Sequence, residues 1–125
     1  MVNGTRKPKL IAELTMGMHK LLADVSVQLG GSNAGPDPHE IFEASLAACT
    51  IITLQMFADR HQWNLDSADV NVTVDKEGAE SHITRSITLR GNLTDEQRNK
   101  LFEIADKCPV HKLMTSHIAI STIRN

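Results

Sequence analysis

The chain has no tyrosine, one tryptophan and three phenylalanines among 125 residues. Proteins that hold single-stranded nucleic acid need aromatic stacking platforms and a basic groove. Neither is present: the formal net charge is -2 and there is no extended basic run, so nucleic acid is not an expected partner. No apolar run reads as long enough to span a membrane, and the start, "MVNGTRKPKL", lacks the apolar core of a signal peptide. The expectation is a cytoplasmic protein with no membrane partner. No serine stands in a Gly-x-Ser-x-Gly elbow. The glycines of "LGGSNAG" lack the P-loop lysine and the dinucleotide spacing, so no cofactor is expected. Cysteine is scarce as well. With only Cys49 and Cys108, a reducing compartment favours free, reactive or packed thiols over a permanent bridge.

The length suits a single domain over residues 1–125, small enough that covering both faces of its elements can require a partner subunit. Residues 10–15 and 20–27 alternate as strands, with Leu21, Ala23, Val25 and Val27 on one face and Gly17 at the turn. The flexible, glycine- and proline-rich loop "LGGSNAGPDP" leads to a helix start, with Asp37 as N-cap, Pro38 at the first position and Glu40 at the third, where its carboxylate can reach back to the cap. The helix is expected to run from Pro38 to about His61. From Ile41 to Phe57 it is apolar on nearly all sides, the mark of a helix buried on more than one face.

A second hairpin alternates through Val70, Val72 and Val74, then Ile83, Ile87 and Leu89. Arg85 falls on the same inward face, where an arginine usually carries its head out to solvent. Thr94 and Gln97 form another capping box, and Leu101, Ile104, Ala105 and Cys108 recur at helical spacing. Pro109 opens a short helix through Met114, and "HIAISTIRN" reads as a last strand. The fold class is α+β, in the order β-β-α-β-β-α-α-β.

Two readings stand for each cysteine. Cys108 is either the last apolar residue of its helical stripe or the N-cap of the turn at Pro109. There, free N–H groups with Lys107 and His111 would lower its pKa. Cys49, in "SLAACT", is either core or a reactive sulfur to which Ala47 and Ala48 allow close approach. Cys108 and His111 have zinc-like spacing, but no second ligand pair accompanies them, and no metal is expected.

"GPDPHEIFEASLAACT" and "ADKCPVHK" resemble the two cysteine motifs of the OsmC-like family, which includes osmotically inducible protein C and the organic hydroperoxide resistance proteins. The resemblance covers nearly the whole chain. It implies an intertwined homodimer whose long, buried central helices pack at the interface. It also implies a two-cysteine peroxidase for small organic hydroperoxides. Cys49 would attack the peroxide, Cys108 would resolve the sulfenic acid, Glu40 would be an orienting acid, and an external dithiol would reduce the disulfide. Apolar walls would raise the Cys49 pKa, so a compensating positive charge is needed. The family's peroxidases take it from an arginine before the central helix. This chain has no arginine between Leu10 and Cys49, leaving Arg6, His19, Lys20 and Arg85 as the available substitutes. The family's acid directly follows the proline, where this chain has His39 and places Glu40 one residue later. Alternative functions are a non-catalytic dimer that binds a small apolar ligand and a thiol redox sensor.

Overall fold

The computed structural model describes residues 1–125, which form two compact units, Met1–Phe42 and Glu43–Asn125. In the first, strands β1 (Asn3–Arg6), β2 (Ala12–Met16) and β3 (His19–Ala23) make an antiparallel sheet in that order. Met16 pairs with His19 across a two-residue turn, where Gly17 has φ 60°, the left-handed region that glycine enters without steric cost. Strand β1 was not read from the sequence. Its residues, "NGTR", have no apolar alternation, and all four are exposed.

Strand β3 also stops at Ala23, short of the expected residue 27. The cause is Asp24, which is buried. Its carboxylate accepts the backbone N–H groups of Val25 at 2.8 Å, Ser32 at 3.0 Å and Ala34 at 3.0 Å. These bonds pull the chain out of the sheet into a 3-10 turn at Val27–Leu29 and pin the glycine loop expected to be flexible. A Cβ at Gly31 would lie 2.1 Å from the Val25 carbonyl oxygen, and one at Gly35 would lie 2.0 Å from that of Leu22. Only glycine permits so close an approach.

Helix α1 (Pro38–Arg60) starts as expected. Asp37 Oδ1 accepts the Glu40 N–H at 2.8 Å, and Glu40 Oε1 accepts the Asp37 N–H at 3.2 Å. The helix ends where Gln62 turns left-handed at φ 56° and the Trp63 N–H reaches back to the Ala58 carbonyl. Trp63 then packs edge-on against Phe57, with ring centroids 5.4 Å apart.

In the second unit, β4 (Ser67–Lys76) and β5 (His82–Arg90) pair as the expected hairpin, followed by α2 (Asp95–Ala105) and α3 (Pro109–Met114). Thr94 and Gln97 form the reciprocal cap of α2. Leu54 and Ala58 of α1 meet Leu65, Leu89 of β5, and Leu101, Ile104 and Ala105 of α2 in one core. Each fully buried leucine there contributes about 1.5–3 kcal/mol. Glu43 ties the start of this part of α1 to the hairpin by accepting the Val74 N–H at 2.8 Å.

Within one chain helix α1 is buried along a single stripe at four-residue spacing, Leu46, Thr50, Leu54 and Ala58, while Phe42, Ile51, Ile52 and Met56 are exposed, as expected of a helix that a lone small domain can hardly cover. Two other expectations are corrected. By length and composition α1 does reach membrane-spanning dimensions, with a mean hydropathy of 1.6 over its most apolar 18 residues. Glu43, Ser45, Thr50, Thr53 and Gln55 interrupt its strictly apolar run, which is why no run in the sequence reads as long enough. Finally, residues 117–125 form no strand. Ile118 and Ile120 alternate as a strand would, but they are 53% and 87% exposed and have no neighbouring strand to pair with.

The Asp24 carboxyl is held below the usual carboxylate range, chiefly by the Ala34 and Val25 N–H groups. A carboxyl depressed by folding adds stability above its unfolded value of about 3.9, and that stability is lost as pH falls through the folded value. Asp24→Asn, with one acceptor oxygen in place of two, is expected to lower the urea midpoint at pH 7. The gap from the unsubstituted protein should close below about pH 3.9. A gap constant with pH would show that the carboxylate charge does not matter.

Candidate functional site

Cys49 and Cys108 are 59 positions apart in the sequence, and both lie in the second unit. Cys49 is half-buried on α1, immediately before Thr50 of the buried stripe. Its sulfur is 3.9 Å from the Thr53 hydroxyl one turn on. Cys108 is fully buried and caps α3, its sulfur accepting the His111 N–H at 3.4 Å. Pro109 at the first helical position fixes the direction of that short helix. The Cys108 side chain and the Val110 backbone N–H lie near enough to Cys49 to act on its thiol. The fold therefore brings together the two thiols that spacing alone could not connect.

Their environments differ in sign. Burial pushes the Cys49 thiol up, but the Cys108 side chain, the Val110 N–H, the Thr53 hydroxyl and the Arg85 charge together outweigh it, and the pKa is lowered. Cys108 goes the other way: burial, then the adjoining Cys49, raises it despite the His111 and Val110 N–H groups. The expectation that the helix cap would lower the Cys108 pKa is thus corrected. The cap forms, but desolvation at a fully buried sulfur exceeds what a six-residue helix returns. The pair is poised as one thiolate-forming sulfur, Cys49, beside one proton-holding sulfur, Cys108.

Arg85 is the functional candidate that sequence reasoning placed in solvent. On β5 it pairs with Val72 of β4, and its side chain is only 11% exposed. Nη1 donates to the Thr50 hydroxyl at 3.2 Å, and Nη2 donates to Asp106 Oδ1 at 2.9 Å. Its place among Ile83, Ile87 and Leu89 was the signal available in the sequence. Glu40, the expected orienting acid, is exposed and is occupied by the cap of α1. The Cys108–His111 spacing collects no further ligands, and no three His, Cys, Asp or Glu side chains converge to hold a metal ion.

The model of the family described as OsmC-like protein matches residues 30–123, a span that contains both cysteines. The chain belongs to the OsmC-like family. The fold agrees with solved OsmC-like structures. An OsmC-like protein from Mycoplasma pneumoniae is 13% identical and superposes with a TM-score of 0.78 over 91% of this chain and 85% of its own. The organic hydroperoxide resistance protein OsmC of Legionella pneumophila is 20% identical, with a TM-score of 0.63 over 92% and 88%. The organic hydroperoxide resistance protein OhrB of Bacillus subtilis is also 20% identical, with a TM-score of 0.60 over 92% and 89%. No curated protein matches the chain.

The opposed pKa shifts set an order of reactivity. At pH 8, brief treatment of the reduced native protein with iodoacetamide, read by peptide mass mapping, is expected to label Cys49 well before Cys108. Equal labelling, or Cys108 first, would contradict the assignment of Cys49 as the thiolate.

Proposed function

We propose that this OsmC-like protein is a two-cysteine peroxidase for small organic hydroperoxides, and that residues 1–125 act as one domain. The observation that carries the reading is the meeting of Cys49 and Cys108 with oppositely shifted thiols. The Cys49 thiolate attacks the outer peroxide oxygen and breaks the O–O bond. The alkoxide leaves and takes a proton to become the alcohol, and Cys49 becomes a sulfenic acid. The Cys108 sulfur attacks that sulfenic sulfur. An S–S bond forms, and the sulfenic oxygen leaves as water, with the Cys108 proton balancing the step. An external dithiol then returns both sulfurs to thiols by exchange. In a reducing cytoplasm such a reductant is at hand. The match of one family across residues 30–123, on both sides of the boundary between the compact units, supports the single-domain reading.

The active form is a homodimer. An open groove of about 500 Å³ lies along α1, lined by Ile51, Ile52, Met56 and Ala68 and edged by Gln55, Asp59, Asp66 and Ser67. With Phe42 exposed on the same helix and Ile118 and Ile120 exposed in the tail, one chain leaves much apolar surface in water. A second copy would cover surface of this kind. The same groove keeps the ligand-binding alternative in view: an apolar molecule retained through purification and seen by native mass spectrometry, without any thiol oxidation, would favour it.

One equivalent of cumene hydroperoxide is expected to convert the reduced protein rapidly to an intramolecular disulfide, with loss of two hydrogens in the intact mass. Cys108→Ser should instead gain one oxygen, and Cys49→Ser should not react. If both variants turn over normally, the mechanism is wrong. For the assembly, Ile52→Glu is expected to shift the protein from dimer to monomer in sedimentation equilibrium. A monomeric unsubstituted protein would remove the homodimer from the proposal.

A further inference from the structure

The Arg85 side chain is largely withdrawn from water on an apolar sheet face, where a charge is costly unless it is paired. Its two partners are informative. Thr50 adjoins Cys49 on α1, and Asp106 is the C-cap of α2, two residues before Cys108. The guanidinium therefore links the helix carrying one sulfur to the segment carrying the other. Thr50 can only accept from it: the hydroxyl's single proton is given to the Leu46 carbonyl at 2.7 Å, so its oxygen is turned toward Nη1. Asp106, at 71% side-chain exposure, holds Nη2 from the rim. Two of the five guanidinium N–H donors are used by these bonds, and a planar, permanently charged group is fixed against Thr50, the residue that follows Cys49.

We propose that Arg85, aimed by Thr50 and Asp106, supplies the positive charge that holds Cys49 as a thiolate, and that Asp106 in place of Glu40 is the acid orienting that charge. The proposal rests on the reading that Cys49 is the nucleophile. The Cys49 shift agrees in direction: the Cys108 side chain, the Val110 N–H and the Thr53 hydroxyl lower it most, and the Arg85 charge adds to them. Arg85 is a positioning residue in this scheme: it acts through the sulfur and undergoes no chemistry itself. The chain thus draws its cation from β5, after the central helix.

The test reads the thiol directly and needs no peroxide. The rate of Cys49 alkylation by iodoacetamide is followed against pH by peptide mapping in the full-length protein, in Arg85→Met, Arg85→Lys and Asp106→Ala. Methionine fits the apolar sheet face, so Arg85→Met should fold, as circular dichroism can check. Its Cys49 midpoint should rise, with the rate at pH 7 falling about three- to tenfold, and Arg85→Lys should restore most of the loss. An unchanged midpoint in Arg85→Met would leave Arg85 a structural bridge only and overturn the proposal. Asp106→Ala, at an exposed position, gives a second and independent sign. Loss of a nearby negative charge by itself would lower the Cys49 midpoint, whereas release of Arg85 toward solvent would raise it. A rise is expected, and a fall would overturn the role given to Asp106. Failure of the peroxidase reading would look different: Cys49 would keep its Arg85-dependent midpoint yet remain unoxidised by cumene hydroperoxide.

Discussion

A buried guanidinium constrains its surroundings more than any leucine does, and Arg85 constrains this molecule at three points. It faces inward from β5 opposite Val72, donates to a threonine inside the buried stripe of α1, and is closed off by the carboxylate of Asp106, the residue at the C-terminal end of α2. If any of these contacts were absent, an unpaired charge or donor would remain within the fold, which costs more than the contact returns when it is made. The stripe Leu46, Thr50, Leu54, Ala58 contains a polar residue for this reason. Thr50 is fully buried because both roles of its hydroxyl are taken, one by the Leu46 carbonyl and one by Arg85.

The same arrangement explains why two chemically identical side chains become different. Both sulfurs are desolvated, and desolvation alone raises a thiol pKa. At Cys49 several donors and a cation converge on a half-buried atom, and their sum exceeds the burial cost. At Cys108 the residue is fully buried, its helix has only six residues, and the adjoining Cys49 sulfur raises its pKa further. Charge on one disfavours charge on the other, so the pair titrates as a unit with the first proton drawn from the Cys49 side. A nucleophile that ionises first beside a thiol that keeps its proton is the division of labour that sulfenic acid chemistry requires.

Much of the frame was legible in the sequence because it depends on neighbours in the chain. The capping boxes at Asp37–Glu40 and Thr94–Gln97, the hairpin alternation from Val70 to Leu89, the proline start of α3 and the cap at Cys108 are all settled within a few residues. What escaped depends on distant partners. Asp24 ends β3 because N–H groups eight and ten residues later reach it. The Cys108 shift depends on how much protein surrounds the sulfur, which periodicity does not measure. Arg85 was placed in solvent because long basic side chains usually snorkel, and only the positions of Thr50 and Asp106 reverse that default. Motif resemblance supplied the pairing of Cys49 with Cys108 and the role for Glu40, whose carboxylate is engaged at the helix start as its capping position implies.

The apolar residues that remain exposed follow the same logic on a larger scale. A helix patterned for burial on several sides is covered here on one, and a tail patterned as a strand lies unpaired. Both patterns are costly in water, and local structure gives neither a reason to exist: α1 needs no Ile51, Ile52 or Met56 to remain helical, and residues 117–125 gain nothing from alternating isoleucines without a sheet to join. Sequence features that one chain leaves unused are accounted for when a second copy supplies the missing surface. Cys49, the proposed nucleophile, lies on that same helix, directly before Thr50. Packing against the exposed side of α1 would therefore govern access to the sulfur as well as the stability of the fold.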